Sequence, residues 1–160
     1  QMAFGALIVL IAAKLFVIRK TFDYANTQTA ELRLAMQELP KGVKLLPVLD
    51  SKAAAQSPLG PKFYFHQPGW VVVDKDGLFP YFFAMFNVGV QPAHQDYTRI
   101  WGNPIEETIF DTDRAASYAR NWREDYDYVL FMDNSAKDQR HDGLTETHRG
   151  SWFSIQKIMP

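Results

Sequence analysis

The opening of this chain constrains its fold more than any other stretch. Between Met2 and Ile18 the sequence reads "MAFGALIVLIAAKLFVI", and its only charge is Lys14. As a helix these residues extend about 25 Å, against a bilayer hydrocarbon core of about 30 Å. Three readings compete. The first is the inner end of a membrane-spanning helix, favoured because the stretch follows Gln1 directly, with no initiator Met ahead of it. The second is a buried helix of a soluble domain. Leu7, Ile11, Lys14, Leu15 and Ile18 fall roughly on one stripe, but a lysine within it breaks the amphipathic pattern. The third is a signal peptide, disfavoured by the missing basic leader and by Lys14 inside the apolar run.

Helical character continues beyond this stretch. Leu32, Ala35, Met36 and Leu39 recur at i, i+3, i+4 and i+7, and Pro40 and Gly42 end the pattern. Thr21, Asp23 and Asn26 either cap a second helix or face water on one continuous helix. The expected domains are therefore residues 1–20 as the end of an apolar or transmembrane helix, and residues 21–160 as a single soluble domain.

The remainder has a globular composition. Of 160 residues, 47% are hydrophobic and 14% aromatic, enough for one domain with a core and against disorder. A net charge of −1 gives no basic footprint for nucleic acid. Without cysteine there are no disulfides, thiolate metal sites or cysteine nucleophiles.

Along the chain, residues 43–50 ("VKLLPVLD") read as a strand, with Pro47 placing it at a sheet edge or strand end. "SKAAAQSPLGPK" reads as a loop. In "FYFHQPGWVVVDKDG", β-propensity favours a strand over residues 70–73 with Asp76-Gly77 as its turn, while a short helix from Pro68 is the alternative. Asp113 caps an expected helix whose shared face is Ala115, Tyr118, Ala119 and Trp122. Residues 126–133 form a near-continuously apolar strand, residues 134–150 a polar loop, and residues 151–158 an alternating last strand. The predicted fold class is α/β: a long N-terminal helix and a small mixed sheet (43–50, 127–133, 151–158) covered by helices. The last two strands are expected to pair antiparallel.

No complete catalytic motif is present. There is no GxGxxG, P-loop, GxSxG or HExxH pattern, and no catalytic, cofactor or metal residue is assigned. His66, beside Tyr64 in an aromatic run, reads first as a hydrogen-bonded core histidine. His141 and His148 lie in the polar loop. The acidic pair Asp111 and Asp113 is explained by capping, and Glu124, Asp125 and Asp127 by a solvated turn. The aromatic stretch containing Phe79, Tyr81, Phe82, Phe83 and Phe86 is core in the plain reading. In the sharper one, His66, Phe79, Tyr81, Phe82, Phe86 and Trp101 form a ligand or partner surface.

The order of phrases adds a resemblance. "ELRLAMQELPKGVKLLPVLD", "YFHQPGW", "DGLFPYFFAMFNVGVQPAH", "RNWREDYDYVLFMD" and "HRGSWFSIQKI" follow one another over residues 31–158. The chain in this respect resembles the C-terminal soluble domain of uncharacterised polytopic bacterial inner-membrane proteins. Some of these are similar to integral-membrane glycosyltransferases that use polyprenyl-phosphate sugars. The resemblance implies membrane spans ahead of this segment, catalytic carboxylates outside it, and a periplasmic, non-catalytic accessory domain. Lys14, Arg19 and Lys20 point the other way, since positive charge at a span's exit favours the cytoplasm. Two alternatives stand beside it: a soluble α/β enzyme acting through His66 and nearby acids, and an interaction module that self-associates through the apolar helix.

Overall fold

The computed structural model describes residues 2–49, 51–80, 120–132 and 141–160. Helix α1 (Met2–Met36) runs unbroken for 35 residues, about 52 Å. After it come β1 (Leu45–Leu49), α2 (Ser51–Gln56), α3 (Pro61–His66), a 3-10 turn (Gln67–Gly69) and α4 (Trp70–Lys75). The short α5 (Trp122–Asp125) precedes β2 (Tyr128–Met132), β3 (Leu144–Arg149) and β4 (Phe153–Ile158). The fold is α/β, with a long N-terminal helix and a mixed four-stranded sheet of order β1-β2-β4-β3.

β1 and β2 pair in parallel from Leu45–Tyr128 to Leu49–Met132. A parallel pair needs a long crossover, and α2 to α5 lie within it. All five β1 residues are buried, and Leu45 and Leu49 join the core. Pro47 is tolerated there because β1 is an edge strand, in keeping with its sequence context. β2 and β4 pair antiparallel, also as expected, but β3 lies beyond β4 on the far edge.

β3 corrects the polar-loop reading of residues 134–150. Leu144–Arg149 is an edge strand with most of its side chains in water, so it lacks the apolar alternation that marks a half-buried strand. Gly143, at φ 75°, leads into it, and a bulge lies between Glu146 and His148. Two further expectations are overturned. The small-residue stretch after β1 holds α2 and α3 rather than a loop. Residues 70–73 are helical rather than extended, so the favoured strand fails and the alternative, a short helix from Pro68, holds. Three successive valines suit a strand by propensity, but Val71 is fully buried and Val73 exposed, and Asp74 and Lys75 reach back to α1 and the turn after it. These tertiary contacts override the propensity.

The two halves of α1 behave differently. In its second half Gln28, Leu32 and Met36 are buried at four-residue spacing, and Leu39 continues the stripe just past the helix. Leu32 and Met36 join β1, β2 and β4 side chains in the core. Polar ties hold both flanks of this half. Toward the sheet, Glu31 accepts from Ser151 N and Oγ at 2.6 Å, and Trp152 Nε1 donates to Gln28 O at 3.2 Å. Toward α4, Arg33 donates to both carboxylate oxygens of Asp74, and Lys75 Nζ donates to Gln37 O.

The first half is bare. The consecutive positions Leu7, Ile8, Val9, Leu10 and Ile11 are 50–68% exposed, which covers more than a full turn and leaves no face protected among the described residues. Leu15, Phe16, Val17 and Ile18 are exposed likewise. Only toward the middle of the helix does the domain come near, where Phe16, Val17, Lys20 and Tyr24 share a shallow groove with Pro58. Among the described residues, no helix is long and apolar enough to cross a membrane. Arg19 and Lys20 close the apolar run, and Arg19 pairs with Asp23 at 3.8 Å on the surface.

Candidate functional site

A cleft of about 470 Å³ opens between the middle of α1 and the corner joining α3 to α4. α1 supplies Asn26 and Thr29. The corner supplies His66, Gln67 and Trp70, and Phe79 closes one side. The corner follows from local sequence. Pro61 and Pro68 each sit at the first turn of a helical segment, where a missing N–H costs nothing. α4 then ends at Asp76, in the left-handed conformation at φ 49°, whose N–H bonds Val71 O. Leu78 bridges to Lys44, just ahead of β1, which holds Phe79 beside the corner.

Of the residues proposed from the sequence as a ligand surface, His66 and Phe79 line this cleft together. His66 is not a core histidine in a strand; it is exposed at the C-terminal end of α3. Helical geometry buries Tyr64 instead, with its hydroxyl 2.7 Å from Ser57 Oγ, and turns His66 outward. Tyr81, Phe82, Phe86 and Trp101 lie outside the described residues, as do Asp111, Asp113 and most of the helix expected after them.

The other lining residues, Asn26, Thr29, Gln67, Gly69, Trp70 and Val73, carry no site signal in the sequence. Trp70 has the Arg33 guanidinium 4.0 Å from its ring centroid, and Asp74 holds that guanidinium at 2.7–2.8 Å. The hydrogen bond to Asp74 raises the Arg33 pKa above its ordinary value, opposed by desolvation. Gln67 is only 6% exposed, and its Oε1 has no hydrogen-bond partner. Gly69 completes the corner without a side chain. The run Gln67-Pro68-Gly69-Trp70 is legible in the sequence only as a turn.

The other polar candidates take structural roles. Asp127 accepts from Lys44 N at 2.8 Å and fastens the start of β1, and Asp125 is buried, so the acidic turn is not simply solvated. His148 Nε2 lies 2.9 Å from Glu38 Oε2 and ties β3 to the turn after α1. His141 stacks on Phe131. No group of three metal-ligating side chains exists among the described residues. The chemistry the cleft offers is therefore stacking and hydrogen bonding, with His66 its one titratable lining group among the described residues.

No family model, curated protein or solved structure matches this chain.

Proposed function

We propose that this chain is a membrane-attached, non-catalytic accessory domain of a bacterial inner-membrane protein, with the first half of α1 buried in lipid. One observation carries the reading: apart from Lys14, residues 7–15 are apolar on every face and pack on nothing among the described residues. A helix apolar all round needs an apolar surrounding on all sides, and lipid supplies that where a single protein groove covers one face. Lys14 reaches water by extending its stem along the helix, and Arg19 and Lys20 lie at headgroup level. The aromatic rings Phe16, Phe22 and Tyr24, all exposed, suit the same interface. The periplasmic placement and the link to a glycosyltransferase rest on the sequence resemblance alone.

Vesicle flotation of the full chain tests the attachment. The chain should float with phosphatidylcholine vesicles. Leu10→Glu and Leu15→Glu together should abolish flotation without moving Tm, because both side chains are well exposed and neither belongs to the core. A wild-type chain that stays in the aqueous phase as a dimer by light scattering would replace this reading with self-association through α1.

A further inference from the structure

Where the apolar run of α1 ends, the chain changes character within one turn. From Gln1 to Phe22 the charged residues are Lys14, Arg19 and Lys20, and the first carboxylate is Asp23. Arg19 has that carboxylate beside it, at 3.8 Å. Lys20 pairs with no carboxylate among the described residues. Its ammonium lies 5.7 Å from the centroid of the Phe16 ring instead. Helical spacing sets that position, since residues four apart share a face. Phe16 and Lys20 both line the shallow groove, of about 300 Å³, that α1 forms with Pro58. The groove therefore holds an exposed cation beside the apolar side chains Phe16, Val17 and Pro58.

We propose that this groove seats the headgroup of an anionic phospholipid, with the Lys20 ammonium against its phosphate. The proposal rests on the membrane attachment of α1 and names the lipid class that the attachment selects. The groove lies at the right depth. Lys20 and Tyr24 stand about 3 and 9 Å beyond Ile18 along the helix axis, and the headgroup layer is roughly 5–8 Å deep on each side of the hydrocarbon. Phe16 and Val17 lie at the hydrocarbon edge, within reach of acyl carbons. Charge then selects the lipid. A phosphatidylcholine headgroup carries a choline cation along with its phosphate, and Lys20 repels that cation. A phosphatidylglycerol headgroup brings a phosphate whose charge nothing else offsets. In a mostly apolar groove beside lipid, such a pair is screened less than two charges in open water.

Arg19 provides the control that separates a seated headgroup from diffuse attraction. It carries the same charge one residue away, but lies about 100° around the helix from Lys20 and does not line the groove. Arg19→Gln and Lys20→Gln remove equal charge from the same end of the apolar run. Diffuse attraction to an anionic surface weakens equally in both, whereas a phosphate held in the groove weakens more with Lys20. Both side chains are exposed and outside the core, so neither exchange should move Tm.

The test is flotation of the full chain across a lipid titration, with vesicles of phosphatidylcholine alone and of phosphatidylcholine mixed with phosphatidylglycerol. The wild-type chain should bind the mixed vesicles about fivefold more tightly or better, the worth of one basic side chain at an anionic surface. Lys20→Gln should lose about fivefold on the mixed vesicles and nothing on phosphatidylcholine alone. Arg19→Gln should lose clearly less on the mixed vesicles than Lys20→Gln. Equal binding of the wild-type chain to both kinds of vesicle would overturn the headgroup proposal and leave the membrane attachment standing. Equal losses from the two variants would also overturn it, in favour of diffuse attraction. Binding to neither kind of vesicle would overturn the attachment and the headgroup proposal together.

Discussion

Gly77 shows how much a single residue position decides here. A Cβ built on it lies 2.7 Å from Val43 O and 2.9 Å from Val71 Cγ2. The first neighbour is backbone, held because Leu78 N donates to that same carbonyl at 2.8 Å, so it cannot yield cheaply. Gly77→Ala should therefore lower unfolding stability by about 1–3 kcal/mol, the usual cost of overpacking, measured by urea denaturation. Gly69→Ala, with only ordinary contact distances and a helical φ, should show no such loss. The sequence marks both glycines as turn residues. Which of them is crowded depends on Val43, remote in sequence, and on the fold of α4 that brings Val71 back against the turn. No local pattern contains that.

Helix α1 is one element by backbone and two by environment. Leu10 is 67% exposed, whereas Leu32 is fully buried against β1, β2 and β4. Leu32→Ala should cost about 2–5 kcal/mol in denaturant melts, while Leu10→Ala should stay within about 0.5 kcal/mol. A Leu10→Ala cost comparable to that of Leu32→Ala would mean that the first half packs on the domain. The periodicity of Leu32, Ala35, Met36 and Leu39 is plain from the sequence and locates the packed half correctly. The elements between β1 and Phe79 are less legible. α2, α3 and α4 are each 6 residues long, too short to be stable by propensity, and exist because α1 and the sheet hold them. β3 is hidden for the opposite reason: an edge strand in water has no apolar face to announce it.

At the scale of the molecule, the domain and the exposed half-helix are joined by one continuous backbone. Glu31 and Trp152 lock the packed half to the sheet, and Arg33 locks it to α4. No comparable tie holds residues 7–15 among the described residues. Hydrogen exchange should reflect that division. In water, amides of residues 7–15 should exchange faster than those of residues 28–36, since only the local helix protects them. Added phosphatidylcholine vesicles should slow the first set and leave the second unchanged. Slow exchange of residues 7–15 in dilute aqueous solution, without vesicles or oligomers, would contradict the unpacked arrangement. The cleft lies on the α4 side of the locked half, so Arg33 and Asp74 hold its Trp70 wall whether or not the first half is in lipid.

The sequence by itself determined the α/β class, the apolar start interrupted at Lys14, the stop at Pro40 and Gly42, and the strands around residues 45–49, 128–132 and 153–158. These features depend on spacing and composition within a short window, where a side chain's neighbours are its own near residues. Only the tertiary structure decided the fourth strand, the helical state of Trp70 to Val73, the outward turn of His66 and the cleft with Gln67 in its wall. The strand and the cleft need segments far apart in the chain to meet, Arg33 with Trp70 or Leu144 with Ile158, and such contacts are set by packing rather than by any local preference.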